Sequence, residues 1–371
     1  MESEVVNPNP LHPDDLAHVT GPVSAFQRGA EHTPTVYAQQ HHLALEVVAH
    51  LREHGVPFVF RGGTALHTKL ADRRRFSIDV DITTVDRAAI HECLKQFPKR
   101  FPNSAVELLE PPRDLRVEGV AHELVFRHAS PEIRLLVEVV EASEPPDGLE
   151  QTRLVEGPLD WGIEVPTPTL SAFVGQKLAV LGPNTIGKPV GRNDPYARSN
   201  QGVCKQIFDL RELLGRPDLE PAAIIRAYDV AVEEANRLRD TAHSKAACLT
   251  DARDLLAHLR LRKLKGSEKE PEARYGLWAG YEDSKRWIVA RAAWKDTDYR
   301  IAAGVITRLA IQLEAGDLRL EQVRAPLAAD VPEAVRQKLS AAETNGEGWF
   351  TSGQFDGLAR LAWAWAPPEL W

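Results

Sequence analysis

A strand, a glycine pair, a helix and a second strand, in that order, constrain this chain more than any other feature of its sequence. The apolar run Val56-Pro57-Phe58-Val59-Phe60 reads as a short buried strand and is stopped by Arg61-Gly62-Gly63. Thr64 offers a hydroxyl suited to open a helix that runs to about residue 71. Ser77-Ile78-Asp79-Val80-Asp81-Ile82 then alternates apolar and polar residues with the period of two expected of a half-buried strand. Upstream, apolar residues recur at helical spacing between Val36 and His54 (Leu43, Leu45, Val47, Val48, Leu51), and Gly55 closes that helix.

The unit has a chemical reading. Paired glycines between a strand and a helix let the backbone come close to a ligand, and the following helix aims free N–H groups at the same spot, a seat for phosphate. Alone, such a pair is most often a plain turn. Residues i and i+2 of a strand share a face, so Asp79 and Asp81 are expected side by side. Adjacent carboxylates repel unless a cation lies between them, and their hard oxygens suit Mg²⁺ or Mn²⁺. An isolated Asp-x-Asp is more often a solvated strand face. Placed after a strand–Gly-Gly–helix unit, it sets a metal opposite a phosphate cradle.

Beyond this unit a helix is expected near 86–97, and strands at 104–109, 114–120, 122–128 and 132–140. The Pro- and Glu-rich region 141–168 reads as a connection and 169–181 as an amphipathic helix. Gly182 to Gly202 reads as a long irregular loop carrying Lys188, Arg192 and Arg198, and helix dominates from Val203 onward. The fold class is α+β. An irregular arm over 1–35 leads into a mixed-sheet domain with flanking helices over 36–168, followed by a mainly helical domain over 169–371. At roughly 150 residues per domain, 371 residues suit about two.

Composition narrows the function. With 45 basic and 53 acidic residues the net charge is −8, which disfavours indiscriminate binding to nucleic acid; an RNA partner would need a local basic patch. Arg73-Arg74-Arg75 and the 182–202 loop are candidates, although solvated arginines are the commoner case. Cys93, Cys204 and Cys248 show no C-x-x-C spacing and read as reduced thiols. The histidines are expected to be ordinary, without metal-ligand spacing, and Trp363 and Trp365 to pack a helix face rather than stack on bases. The N-terminus has neither the basic region nor the apolar run of a signal peptide, and no window suits a membrane span, so a soluble cytoplasmic protein is expected.

Gly62-Gly63-Thr64-Ala65-Leu66 followed by Arg75-Phe76-Ser77-Ile78-Asp79-Val80-Asp81 resembles the nucleotidyltransferase superfamily. More narrowly, the chain is similar to the AbiEii-type toxins of bacterial toxin–antitoxin and phage-defence systems, which include the MenT toxins. The resemblance covers roughly residues 45–215. It implies a helix-borne lysine, matched by Lys177 in Gln176-Lys177-Leu178-Ala179. It also implies a late Lys-Asp-x-x-Asp-Leu-like motif, matched by Lys205-Gln206-Ile207-Phe208-Asp209-Leu210. Gln206 stands where the family carries an acid, leaving Asp209 as the carboxylate of that motif. A third acid on a neighbouring strand is implied as well. Glu138 fits, because it interrupts the apolar run Ile133–Val140, where a carboxylate is expensive without a partner or metal; Glu141 is the alternative.

The resemblance therefore implies metal ligation by Asp79, Asp81 and Glu138, and nucleotide binding by Gly62, Gly63, Thr64, Arg75, Ser77 and Lys177. Lys177 and Asp209 join the three acids as catalytic candidates. The activity implied is Mg²⁺-dependent transfer of a nucleoside monophosphate from an NTP to RNA, with the tRNA 3′ end the expected acceptor, and a cognate antitoxin as partner. Two alternatives stay open: nucleotidylation of a protein or small molecule, and a catalytically degenerate binding module.

Overall fold

The computed structural model describes residues 35–70, 75–101, 106–109, 120–127, 133–142, 146, 148–156, 159–191, 197–259, 276–288, 294–327, 331–337 and 360–368. The expected arm, Arg73, Arg74, Arg192, most of the strand at 114–120 and the basic run beyond Leu259 lie outside them. The chain divides into two compact units. Residues 1–169 and 287–290 form the first; 170–286 and 291–371 form the second.

The first unit is built on a mixed five-stranded sheet. Helix α1 (Thr35–Glu53) leads to β1 (Val59–Arg61), α2 (Gly62–Lys69), β2 (Val80–Thr84), α3 (Arg87–Gln96), β3 (Val106–Leu109), β4 (Val120–Phe126) and β5 (Ile133–Glu141). The strand order is β1-β2-β5-β4-β3. Only β2 and β5 run parallel; every other pair in the sheet is antiparallel. Alternation decides which face of β5 is buried: Ile133, Leu135, Val137 and Val139 are core residues, whereas Arg134 is exposed and Leu136 and Glu138 are half-buried. Helices α1 and α3 pack on β5. Leu43, Val47 and Leu51 of α1 and Ile90 and Leu94 of α3 are buried among the core residues. Asp86 opens α3, its carboxylate accepting from the Ala89 amide at 2.9 Å.

The region 141–168 is not a plain connection. It folds into an antiparallel hairpin, β6 (Leu149–Glu156) and β7 (Leu159–Pro168), with an irregularity between Arg153 and Val155. Prolines at 166 and 168 mask the strand pattern in the sequence, and an outer strand tolerates them because it needs no N–H on its free side. Thr152 and Thr167 share a buried hydroxyl–hydroxyl hydrogen bond of 2.6 Å within this hairpin.

Among the described residues the second unit is helical: α4 (Leu170–Ala179), α5 (Ala197–Leu214), α6 (Pro221–Arg239), α7 (Lys245–Ala257), α8 (Leu277–Ser284), α9 (Asp296–Ala315) and α10 (Leu320–Arg324). The segment expected to be irregular from Gly182 to Gly202 is shorter than that, because α5 starts at Ala197. Its first part is an ordered turn. The Asp251 carboxylate accepts from the Asn184 amide at 2.7 Å and from the Thr185 hydroxyl at 2.9 Å. Arg239 Nη1 donates to the carbonyls of Thr185 and Gly187, each at 3.1 Å. Trp363 and Trp365 are buried, and Trp365 Nε1 donates to the Arg300 carbonyl at 2.9 Å, as core packing requires. No described helix is long and apolar enough to cross a membrane.

Candidate active site

Strand register puts Asp81 at the centre of the first unit's polar cluster. Arg61 of β1 and Glu138 of β5 are its cross-strand partners on either side. Val80 and Ile82 are fully buried, so the alternation of β2 turns Asp81 and Thr83 to the opposite face. Arg61 reaches along that face, its Nη1 donating to Thr83 Oγ1 at 2.9 Å. Asp81 and Glu138 are both half-buried. Like charges directly opposed on neighbouring strands destabilise a sheet unless a cation compensates them. Register sets Glu138 beside Asp81, with the Arg61 cation on the other side, while the alternative, Glu141, is exposed at the strand's end.

The two glycines lie in close contact with neighbouring side chains. Gly62 has φ +77°, and a Cβ built there would lie 1.7 Å from Asp81 Oδ2. A Cβ at Gly63 would lie 2.5 Å from Ser77 Oγ and 2.7 Å from Arg75 Nη2. At Gly62 the positive φ and the contact together exclude a side chain, whereas at Gly63 the ends of Ser77 and Arg75 would have to shift. The first turn of α2 is thus bare backbone lying against Asp81 on one side and against Ser77 and Arg75 on the other. Arg61 at the N-cap provides no side-chain hydrogen bond to this turn. Uncapped N–H groups at a helix start favour an anion.

Helix α2 begins at Gly62, two residues before the start expected at Thr64. Positive φ at Gly62 lets the chain turn directly from β1 into the helix. Thr64 is consequently inside the first turn, fully buried, and its hydroxyl donates to the Asp79 carbonyl at 2.6 Å. Its side chain thus holds the Asp-x-Asp segment rather than facing a ligand; its amide remains part of the helix start. Asp79 itself is half-buried and stands one residue ahead of β2, not within it.

The approach to β2 is clamped by other elements. His41 Nδ1 of α1 meets the Ser77 carbonyl at 2.7 Å. The Phe76 amide donates to the Trp287 carbonyl at 2.7 Å, and Arg75 forms a bridge with Ile288. Phe76 and Trp287 bury one another, with the Tyr37 ring 4.2 Å from that of Trp287. Arg75 is buried, and its Nη1 donates to the Phe76 carbonyl at 2.8 Å. At the far end of α2, Lys69 Nζ donates to Thr152 and Thr167 of the hairpin, each at 2.8 Å, and pairs with Glu150. Burial draws the Lys69 pKa down while Glu150 opposes that shift. These contacts fix the backbone that leads into β2 and the helix that precedes it.

A second cluster lies in the other unit. Lys177 of α4 is buried, and its Nζ donates to Asp209 Oδ2 at 2.7 Å and to Gln206 Oε1 at 3.0 Å, both on α5. Gly175 permits this placement of α4: a Cβ there would lie 2.6 Å from the Tyr228 amide, so α4 and α6 meet backbone to backbone. Gln206, which replaces an acid of the family motif, acts here as a neutral acceptor for Lys177. Of the basic candidates in the 182–202 segment, Lys188 is exposed.

His50 and His54 stand one turn apart on α1, and one ring nitrogen of each and Cys93 Sγ all lie within 4.8 Å of one another. The i, i+4 spacing was visible in the sequence; the approach of Cys93 from α3 was not.

A model of the family described as nucleotidyl transferase AbiEii toxin, type IV toxin–antitoxin system, matches residues 45–341. The chain belongs to this family. No curated protein matches it in sequence. Two solved structures from Helicobacter pylori are similar to this AbiEii chain. JHP933 has 13% identity, with 74% of this chain and 93% of that one covered, and a TM-score of 0.42. A candidate nucleotidyltransferase has 14% identity, coverages of 75% and 97%, and a TM-score of 0.43. The family match runs well past residue 215, where the resemblance seen in the sequence ended. The chain is a nucleotidyltransferase of a toxin family.

Proposed function

We propose that this AbiEii protein transfers a nucleoside monophosphate from an NTP to an RNA acceptor, the 3′ end of tRNA, in a reaction that depends on Mg²⁺. The observation that carries the reading is the contact of Gly62 with Asp81: it joins a bare helix start, suited to phosphate, to a carboxylate flanked by a second carboxylate, Glu138.

The donor set fits the metal. Asp79, Asp81 and Glu138 offer hard oxygens, which suit Mg²⁺ or Mn²⁺ over softer ions. Bound by these residues, Mg²⁺ would offset negative charge on the NTP phosphates and on the leaving pyrophosphate. The protein's own groups do the rest. The amides at Gly62, Gly63 and Thr64 hold phosphate oxygens. Thr64 and His41 fix the segment carrying Asp79 and Asp81. The register of β2 with β5 sets the spacing of Asp81 and Glu138. Ser77 and Arg75 lie against Gly63 and line the cradle's other side. The resemblance adds Lys177 and Asp209 to the catalytic candidates; within the second unit they form a buried ion pair. An antitoxin that neutralises the enzyme is the partner its family calls for.

The test is incubation with each NTP labelled at the α-phosphate, Mg²⁺ and total RNA, comparing wild type with Asp81→Asn. Label in tRNA-sized species with wild type alone supports the reading. Label on protein or small molecules instead redirects the acceptor, and NTP binding without transfer of any kind favours a binding module.

A further inference from the structure

We propose that His50, His54 and Cys93 form a binding site for a thiophilic divalent cation of the zinc class, joining α1 to α3. Nitrogen and sulfur donors distinguish it from the oxygen-rich cluster around Asp81, and it stands independently of the proposed reaction.

The geometry comes first. His50 and His54 share one side of α1, as residues four apart do, and Cys93 projects from the middle of α3. One ring nitrogen of each histidine and the Cys93 sulfur lie within 4.8 Å of each other. Tetrahedral zinc, with bonds of about 2.0–2.3 Å, spaces its ligands by roughly 3.5 Å. Closing that difference takes about 1 Å of movement, which the exposed His54 ring supplies by swinging about its Nδ1 hydrogen bond to the His50 carbonyl.

The hydrogen bonds leave lone pairs available. His50 Nε2 meets the Cys93 carbonyl at 3.1 Å. A carbonyl only accepts, so Nε2 carries the proton and Nδ1 is bare. That Nδ1 is buried and without a partner, in a residue only 2% exposed. His54 Nδ1 likewise meets the His50 carbonyl at 2.8 Å, which leaves its Nε2 bare. An imidazole whose outer nitrogen is fixed on a backbone carbonyl is the arrangement in which metal-bound histidines are held. A buried, unsatisfied nitrogen is otherwise a cost to the fold.

Burial lowers the His50 pKa to about 4, so the ring is neutral at physiological pH and needs to lose no proton. Burial pushes the Cys93 thiol up to about 11, with Arg100 opposing. Cation binding therefore forms the metal–sulfur bond and releases one proton from the thiol to solvent. Arg100 is paired with Glu53 at 2.5 Å and with Glu46 at 3.4 Å, so it does not face the cation as an uncompensated positive charge. Water takes the fourth position on the exposed side of His54. The cation would clip α1 to α3, the two helices that cover the buried face of β5.

Cobalt(II) is the probe, titrated into the metal-free full-length chain, because it takes zinc's tetrahedral geometry and reports thiolate ligation by a charge-transfer band in the near ultraviolet. One equivalent should produce that band in wild type and in Asp81→Asn, and none in Cys93→Ser. His54→Gln, at an exposed position that leaves the core intact, should bind at least about tenfold more weakly. Zinc should raise the Tm of wild type more than that of His54→Gln. Absence of the band in wild type overturns the site. So does a band that persists in Cys93→Ser, which would assign it to Cys204 or Cys248, or an affinity unchanged by His54→Gln.

Discussion

A Cβ at Gly62 would stand 1.7 Å from the carboxylate oxygen Oδ2 of Asp81, so helix α2 and strand β2 touch through a residue that must have no side chain. Gly62→Ala meets two penalties. Its φ of +77° is unfavourable for alanine, and the methyl must push Asp81 aside. The backbone term costs about 1–3 kcal/mol. The larger effect should fall on nucleotidyl transfer, since a displacement of about 1 Å in a catalytic group can cost about 100-fold. Steady-state transfer rates set against a urea unfolding curve separate the two; a rate within a fewfold of wild type would show that Asp81 does not need its present position.

Thr64 and Asp79 make a subtler case. The Thr64 hydroxyl holds the Asp79 carbonyl at 2.6 Å inside a fully buried site. Thr64→Val keeps the shape and leaves that carbonyl without its donor, at a cost of about 1–3 kcal/mol. Thr64→Ser restores the donor. The expected order of both stability and transfer rate is wild type, then Ser, then Val. Equal rates for Ser and Val would deny the hydroxyl its positioning role.

Much of the first unit was legible because its signals are local. The change from strand period to glycine pair to helix lies within a few residues, and the Asp-x-Asp pattern survives in β2 even though Asp79 falls just outside it. Glu138 announced itself as a charge in an apolar run, and parallel pairing of β2 with β5 sets it beside Asp81. What failed was non-local or disguised. Prolines and glutamates hid the β6–β7 hairpin. Thr64 has good capping chemistry, yet contact between Gly62 and Asp81 moved the helix start to the glycine. Gln206 looked only like a missing acid, and its bond to Lys177 depends on how α4 lies against α5. His50 and Cys93 are 43 residues apart, a separation that no periodicity bridges.

The Lys177–Asp209 pair gives a clean thermodynamic test. Both side chains are buried and joined at 2.7 Å. Removing one partner strands the other's charge in the core, so Lys177→Met and Asp209→Leu should each cost about 3–5 kcal/mol. The double variant removes both charges and should recover much of that loss, giving a large coupling energy in a double-mutant cycle. Transfer activity should not return with stability if both residues serve the reaction, as the family motif implies. Urea unfolding and transfer assays on the same three variants decide it, and additive stability losses would refute the coupling.

Acid sensitivity follows from His42. The residue is buried, neither ring nitrogen makes a hydrogen bond, its Nε2 lies 3.7 Å from the Glu46 carboxylate, and its ring stands 5.5 Å from that of Trp161. Burial, aided by repulsion from His41, lowers its pKa from 6.5 to about 4. Between those values the unfolded chain binds more protons than the folded one, so stability rises with pH across that window and is flat above it. The slope from this group approaches about 1.4 kcal/mol per pH unit. Falling from about pH 6.5 to about pH 4 therefore removes roughly 3 kcal/mol. His42→Phe keeps a ring against Trp161 without a titrating nitrogen, so its unfolding midpoint should decline less steeply over the same range. Parallel declines in the two proteins would place the acid sensitivity in other groups.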